Sequence, residues 1–173
     1  MSDPEQPERN ESAMPEPGDP APEFSGPTQR GETLSLETFA GRRLALYFYP
    51  KDDTPGCTKQ ACSLRDGWDR LEKAGIAVVG VSHDAIEDHE AFAEKYDLPF
   101  PLIADPDHAI LEAYGVWGER NMFGNTFVGT TRTTFLIDGE GLVRDVIRRP
   151  DTENHAAEIL ERWESLDSAP TTA

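Results

Sequence analysis

Cys57 and Cys62 are the chain's two cysteines, and both fall in Tyr49-Pro50-Lys51-Asp52-Asp53-Thr54-Pro55-Gly56-Cys57-Thr58-Lys59-Gln60-Ala61-Cys62. An apolar run enters this stretch and a helical pattern leaves it, which places Cys57 where a helix begins. The unpaired amides and positive dipole end of a helix start favour thiolate over thiol, so the position suits a nucleophile. A cysteine near a helix start is more often a small buried hydrophobe. Here Thr54, the Pro55-Gly56 bracket and a second thiol weigh toward chemistry. Two cysteines five apart close too short a loop to be a useful structural staple.

A depressed pKa explains little of such reactivity. Moving any cysteine from about 8.5 to about 6 raises its thiolate fraction at neutral pH roughly 30-fold. The weaker nucleophilicity of the less basic sulfur removes about a factor of 13, so the net gain is about two-fold. Fast chemistry at Cys57 therefore needs groups that stabilise a transition state. The Thr54 hydroxyl and the backbone amides of Gly56 and Cys57 are candidate donors, Gly56 leaves room for close approach, and Pro50 and Pro55 stiffen the loop.

The elements that position this loop can be read in order. Residues 1–20 are acidic and Pro-rich and are expected to form a disordered tail. Short apolar pieces around Phe24 and Leu34-Ser35-Leu36 flank a turn at Gln29-Arg30-Gly31-Glu32, an N-terminal β-hairpin. Leu44 to Tyr49 reads as a strand buried on both faces. Thr58 to Ala74 reads as one amphipathic helix, and Ile76 to Val81 as a second buried strand, completing a βαβ unit. Asp84 is a candidate cap for a helix over Ala85 to Tyr96. A short strand at Pro101 to Asp105 and a short helix at Asp107 to Tyr114 follow. Gly115 to Gly129 reads as a long loop. A hairpin of Thr133 to Asp138 and Leu142 to Arg148, then a helix from Glu153 to Leu166, finish a domain spanning 21–167, with 168–173 as a flexible tail. The order predicts an α/β thioredoxin-like fold, a central mixed sheet flanked by helices, with the cysteine loop at the carboxyl end of a central strand.

The chain has 173 residues, 33 acidic against 16 basic, and a formal charge of −17. That balance argues against nucleic acid and anionic membrane surfaces as partners. Residues 1–24 hold seven of the acids and one Arg, so the remainder is itself acidic. Such a surface suits either a concentrated-salt cytosol or an ordinary acidic protein with an acidic tail. No secretory signal or membrane span is visible, and the expectation is a cytoplasmic protein. His83, His89, His108 and His155 lack ligand-like spacing with the cysteines, so no metal or cofactor is expected. Lys51, Asp52 and Asp53 read as loop surface, and Trp68, Trp117 and Trp163 as core.

Phe48-Tyr49-Pro50-Lys51-Asp52-Asp53-Thr54-Pro55-Gly56-Cys57-Thr58 resembles the peroxidatic loop of peroxiredoxins. Cys62 and Leu64-Arg65-Asp66 narrow the likeness to the bacterioferritin-comigratory, or peroxiredoxin Q, branch. Gly18-Asp19-Pro20-Ala21-Pro22-Glu23-Phe24, Tyr114-Gly115-Val116-Trp117-Gly118-Glu119 and Arg132-Thr133-Thr134-Phe135-Leu136-Ile137-Asp138 are similar to further family stretches. The resemblance covers about residues 18–166 and implies a thiol peroxidase with Cys57 as peroxidatic and Cys62 as resolving cysteine. Thr54, Pro50 and Arg132 match other positions of the family's site, although Arg132 alone would read as a solvated strand residue. Hydrogen peroxide and organic hydroperoxides are the implied substrates, and thioredoxin or a similar dithiol the reductant. A monomer, or a weak dimer, is expected. Phe48, Trp117 and Phe123 are candidates for the entrance. Peroxide attack would leave a sulfenic acid on Cys57 for Cys62 to condense into a disulfide. Two alternatives stay open: a redox-sensing module, and a disulfide oxidoreductase, which normally needs a C-x-x-C pair that this chain lacks.

Overall fold

A computed structural model describes residues 14–122 and 124–168. The chain enters through an antiparallel hairpin, β1 (Ser25–Pro27) and β2 (Thr33–Ser35), turned at Gly31 with φ +83°. A single 3-10 turn, Leu36–Phe39, leads to β3 (Arg43–Phe48). Next come α1 (Pro55–Asp66), α2 (Trp68–Lys73), β4 (Ile76–Ser82), α3 (Ile86–Tyr96), β5 (Leu102–Ala104) and α4 (Ala109–Ala113). The remaining elements are β6 (Trp117–Met122), β7 (Asn125–Thr130), β8 (Thr133–Ile137), β9 (Val143–Ile147) and α5 (His155–Ser168).

Among the described residues the main sheet has the order β5-β4-β3-β8-β9. The β3, β4 and β5 strands run parallel, whereas β8 pairs antiparallel with both β3 and β9. The two-residue side-chain period of a strand divides β3 between two cores. Leu44, Leu46 and Phe48 pack on one face with Tyr114 and Phe135, while Ala45, Tyr47 and the following Tyr49 pack on the other with Cys57, Ala61 and Leu64. Burial of both faces is why this run lacks apolar-polar alternation. It also anchors the cysteine loop to the central strand of the sheet.

The expected helix from Thr58 to Ala74 is instead two. It begins three residues earlier, because Pro55 is suited to the first helical turn, where no amide partner is needed. It breaks at buried Gly67, where a β-carbon would stand 2.4 Å from Ala156 Cβ. The break lets α1 and α5 approach closely. Asp84 does not cap α3; that place belongs to Ala85, and the Asp84 carboxylate accepts hydrogen bonds from Ser82 Oγ at 2.7 Å and the Asp52 amide at 2.8 Å.

The loop expected over Gly115 to Gly129 holds a two-stranded ribbon, β6 and β7, turned at Gly124 with φ +80°. Its pairing is local, and among the described side chains Glu119, Asn125, Thr126 and Val128 are exposed, so these positions show none of the burial that marks a core strand. Residues 14–20, placed in the tail by composition, are held by backbone: Gly18 N donates to Val143 O and Val143 N to Asp19 O, both at 2.8 Å. Pairing of main-chain groups does not register in hydrophobicity. The rest of the expected tail, residues 1–13, lies outside the described residues, as do 169–173.

Candidate active site

Cys57 is the third residue of α1 and only 1% exposed, enclosed between the helix and the Tyr47–Tyr49 face of the sheet. The first intrahelical bond is Thr58 N to Thr54 O at 2.8 Å. The amides of Gly56 and Cys57 precede it and have no partner among the described residues. Thr54 occupies the cap position with extended backbone, but its side chain makes no capping bond. Its hydroxyl donates to Lys51 O at 2.9 Å, so the oxygen keeps its lone pairs and is placed to accept rather than donate. The sequence suggests a donor; in the structure that proton is directed to Lys51 O.

Arg132 lies in the short link between β7 and β8, and its guanidinium crosses to α1. A β-carbon at Gly56 would lie 3.1 Å from Arg132 Nη2, so glycine keeps that approach open. Arg132 Nη1 donates to Gln60 Oε1 at 2.8 Å. Gln60 is fully buried one helical turn beyond Cys57, and its Nε2 has no hydrogen-bond partner among the described residues. The predicted Cys57, Thr54 and Arg132 thus converge at one helix end. Gln60 was missed because a single Gln inside a helix carries no signal until the link between β7 and β8 supplies an arginine.

Pro50 and Arg132 both line a cavity of about 1150 Å³, shared with Lys51, His83, Arg148 and Arg149. Cys57 itself does not line it. Cys62 sits on the same unbroken helix as Cys57, half-buried, and both thiols are free. On a regular helix, Cα atoms five residues apart lie about 8.6 Å apart, beyond the roughly 7 Å limit for a disulfide. A bond between these two sulfurs requires the first turns of α1 to unwind.

The model of the AhpC/TSA family matches residues 17–146. The chain belongs to that family. A putative peroxiredoxin bcp of Coxiella burnetii is 49% identical over 145 residues, covering 84% of this chain and 96% of the relative. Peroxiredoxin Bcp of Escherichia coli is 49% identical over 143 residues, covering 83% and 92%. Among solved structures, the bacterioferritin comigratory protein of Xanthomonas campestris, described for its alkyl peroxide reduction activity, superposes with a TM-score of 0.77 at 34% identity, over 83% of this chain and 91% of that one. The chain is therefore a peroxiredoxin enzyme of the Bcp and peroxiredoxin Q kind, with the thioredoxin-like α/β fold.

In this peroxiredoxin, Asp52 is not loop surface. It is 8% exposed, and Tyr49 Oη donates to its Oδ1 at 2.6 Å while His89 Nδ1 lies 2.6 Å from its Oδ2. Nε2 of His89 is 3.0 Å from Ile103 O, an acceptor, and therefore carries a proton. Asp52, Asp84 and His89 lie close enough to suggest a cation site, but the contacts above already occupy their facing atoms. Lys51 and Asp53 are exposed as expected.

Tyr47 was missed as well. Its hydroxyl is buried without a partner among the described residues, and burial, then the Asp52 charge, holds its pKa well above the usual phenol value. It remains a neutral O–H in the core cluster that contains Cys57. Of the expected entrance residues, Phe48 is fully buried against Tyr114 and Phe135 and lines no entrance. Trp117 stacks on His108 at 3.8 Å between ring centres. Phe123 lies outside the described residues.

Proposed function

We propose that Cys57 is the peroxidatic thiol and Cys62 the resolving thiol of this enzyme, with Thr54, Arg132 and Pro50 forming the peroxide site. The observation that carries this reading is the approach of Arg132 to the Gly56 position, which brings a fixed positive fork to the helix end where Cys57 and two unpaired amides meet. The Cys57 thiolate attacks one oxygen of the peroxide; the sulfur–oxygen bond forms as the oxygen–oxygen bond breaks, and the departing oxygen leaves as water or an alcohol after taking a proton. Negative charge grows on that oxygen in the transition state, where Arg132 and the amides stabilise it. Thr54 Oγ1, with its own proton committed to Lys51 O, accepts the peroxide O–H and fixes its orientation. Pro50 covers the loop from the cavity side.

Unwinding of α1 then brings the Cys62 thiol to the Cys57 sulfenic acid, the disulfide forms, and water leaves. A thioredoxin-like dithiol restores both thiols by exchange. Hydrogen peroxide and organic hydroperoxides are the substrates, the second supported by the alkyl peroxide activity ascribed to the Xanthomonas relative. The working unit is a catalytic domain over residues 14–168, wider than the expected 21–167 because residues 18 and 19 pair with Val143 and the last helix runs to Ser168; it is monomeric or weakly dimeric, in the cytoplasm, and among the described residues no helix is long and apolar enough to cross a membrane.

Peroxide consumption coupled to thioredoxin oxidation tests the scheme. Cys57→Ser is expected to abolish turnover. Cys62→Ser should give one rapid turnover and then stall, with mass spectrometry showing one added oxygen on Cys57. Sustained turnover by Cys57→Ser would refute the assignment.

A further inference from the structure

The helix that carries both cysteines is built in two unequal parts. From Pro55 to Cys62 the side chains it buries are Cys57, Gln60 and Ala61, none of them a large apolar group. Unwinding this part exposes little apolar surface, so its cost lies mainly in helix hydrogen bonds and in the Arg132–Gln60 contact. From Ser63 onward the helix is pinned. Leu64 is fully buried, Arg65 Nη1 donates to Tyr96 O at 2.9 Å, and Gly67 lies against Ala156 of α5.

Ser63, directly after Cys62, marks the boundary. Its Oγ accepts from His155 N at 2.8 Å and from Ala156 N at 3.3 Å. These are the first two amides of α5, which have no acceptor within their own helix. The serine oxygen serves them as an N-cap would, although it comes from another helix. The same point of α5 is fixed to the sheet: the buried His155 ring has Nε2 at 2.8 Å from Thr134 Oγ1 of β8 and Nδ1 at 2.9 Å from Glu158 Oε1. At the other end of the cysteine segment, Asp52 is held by Tyr49, His89 and Asp84. Length allows both ends to stay. Residues 53–62 reach about 35 Å when extended, whereas two extended residues followed by eight helical ones cover no more than about 19 Å.

We propose that oxidation unwinds α1 only as far as Cys62 and that Ser63 is the stop, a positioning residue that keeps the resolving thiol in place while Cys57 moves to it. This rests on the assignment of Cys57 and Cys62 made above and adds where the motion ends. With Cys62 tethered beside a fixed residue, one thiol searches and not two, which raises the effective concentration of the pair. The Cys62 sulfur attacks the sulfur of the Cys57 sulfenic acid; the S–S bond forms as the S–O bond breaks, and the hydroxyl leaves as water with the thiol proton. A competing reaction limits the time available. A second peroxide gives one oxygen to the sulfenic acid, making it sulfinic, and its other oxygen leaves as water or an alcohol. Ser63 thereby sets how much oxidant the enzyme withstands.

Hydrogen exchange by NMR on the wild-type chain, reduced and as the Cys57–Cys62 disulfide, locates the stop. The Thr58 amide, bonded to Thr54 O in the reduced form, should exchange at least about tenfold faster in the disulfide form. The amides of Gly67, His155 and Ala156 are all held by Ser63 and should change less than about threefold. Ser63→Ala should leave the second-order rate of Cys57 oxidation by hydrogen peroxide unchanged, slow disulfide formation about fivefold, and raise the sulfinic fraction at excess peroxide. Ser63→Thr keeps the hydroxyl and should restore both. Rapid-quench mass spectrometry reads each species, and circular dichroism checks folding.

Faster exchange of the three Ser63-bound amides in the disulfide form would overturn the inference. So would a Ser63→Ala chain that is less stable yet resolves at the wild-type rate, the mark of a cap that only stabilises. If Ser63→Ala does not fold, the wild-type exchange pattern decides. A disulfide with the wrong exchange pattern sinks the stop alone, whereas the absence of any Cys57–Cys62 bond after oxidation sinks the assignment beneath it.

Discussion

Arg132 and Gln60, 72 residues apart in sequence, are joined by a 2.8 Å hydrogen bond from Nη1 to Oε1. The bond ties the strand link before β8 to the second turn of α1, so the guanidinium is held by the same helix that carries Cys57. It is also a contact that unwinding of α1 must break, since Gln60 lies between the two cysteines.

Removing the guanidinium in Arg132→Met should therefore lower the second-order rate with hydrogen peroxide by about 10² to 10³, the usual cost of losing one charge-stabilising donor. Gln60→Leu keeps the guanidinium but releases its anchor, and a fall of about tenfold is expected, roughly 1.4 kcal/mol of positioning. Gln60→Glu retains the accepting oxygen and should recover most of that loss. Stopped-flow rates on the three variants check the ranking; a Gln60→Leu rate equal to wild type would show that the bond orients nothing.

Gly67→Ala would normally favour a helix, but here it places a methyl 2.4 Å from Ala156 Cβ. Overpacking of this kind costs about 1–3 kcal/mol. Ala156→Gly in the same chain should recover much of it, and a double-mutant cycle by urea denaturation measures the coupling. Additive losses in the cycle would mean that the α1–α5 approach does not set the break.

Asp52 holds the start of the cysteine loop by contacts to Tyr49 and His89, with its amide on Asp84. Asp52→Asn can still accept from the tyrosine hydroxyl and donate to a neutral imidazole at Nδ1, so a cost of about 1 kcal/mol is expected. Asp52→Ala leaves both partners buried and unpaired, and about 3–5 kcal/mol should be lost. Equilibrium denaturation separates the two, and similar losses would show that the carboxylate's charge, rather than its hydrogen bonds, holds the network.

Two carboxylates give the fold an acid-side dependence of known sign. Asp53, exposed and with φ +61°, is held below the ordinary carboxylate range by hydrogen bonds from Lys95 and Tyr96. For Glu158, burial pushes the pKa up, but hydrogen bonds from His155 and the Asp151 amide outweigh it and the net shift is downward. A lowered folded pKa means that the stabilisation is complete above the unfolded value, about 4, and is lost as pH falls through the folded one. Lys95 is raised, so its share is present below about 10.4 and is lost as pH rises through the folded value. The Tm gap between wild type and Glu158→Gln should be constant at neutral pH and close below about pH 4. A gap that widens on acidification would contradict the sign.

The two cysteines and their setting are legible in the sequence. Two thiols in a Pro-Gly-bracketed stretch between a doubly buried strand and a helix start are local features, set by spacing and composition, and β3, β4, β8 and β9 follow from apolar runs that local preference and burial both support. What the chain in isolation does not show are relations whose partners are far apart. Gly67 breaks a helix because α5 presses against it, Asp52 is buried because His89 and Asp84 meet it from the β4–α3 side, and β6 and β7 pair with each other through main-chain groups. The thioredoxin-like order of elements and Cys57 at a helix start were properties of the sequence alone. The seat of Arg132 on Gln60 and the burial of Asp52 against His89 were decided by tertiary structure, because these side chains' partners are chosen by where the backbone returns and not by their neighbours in sequence.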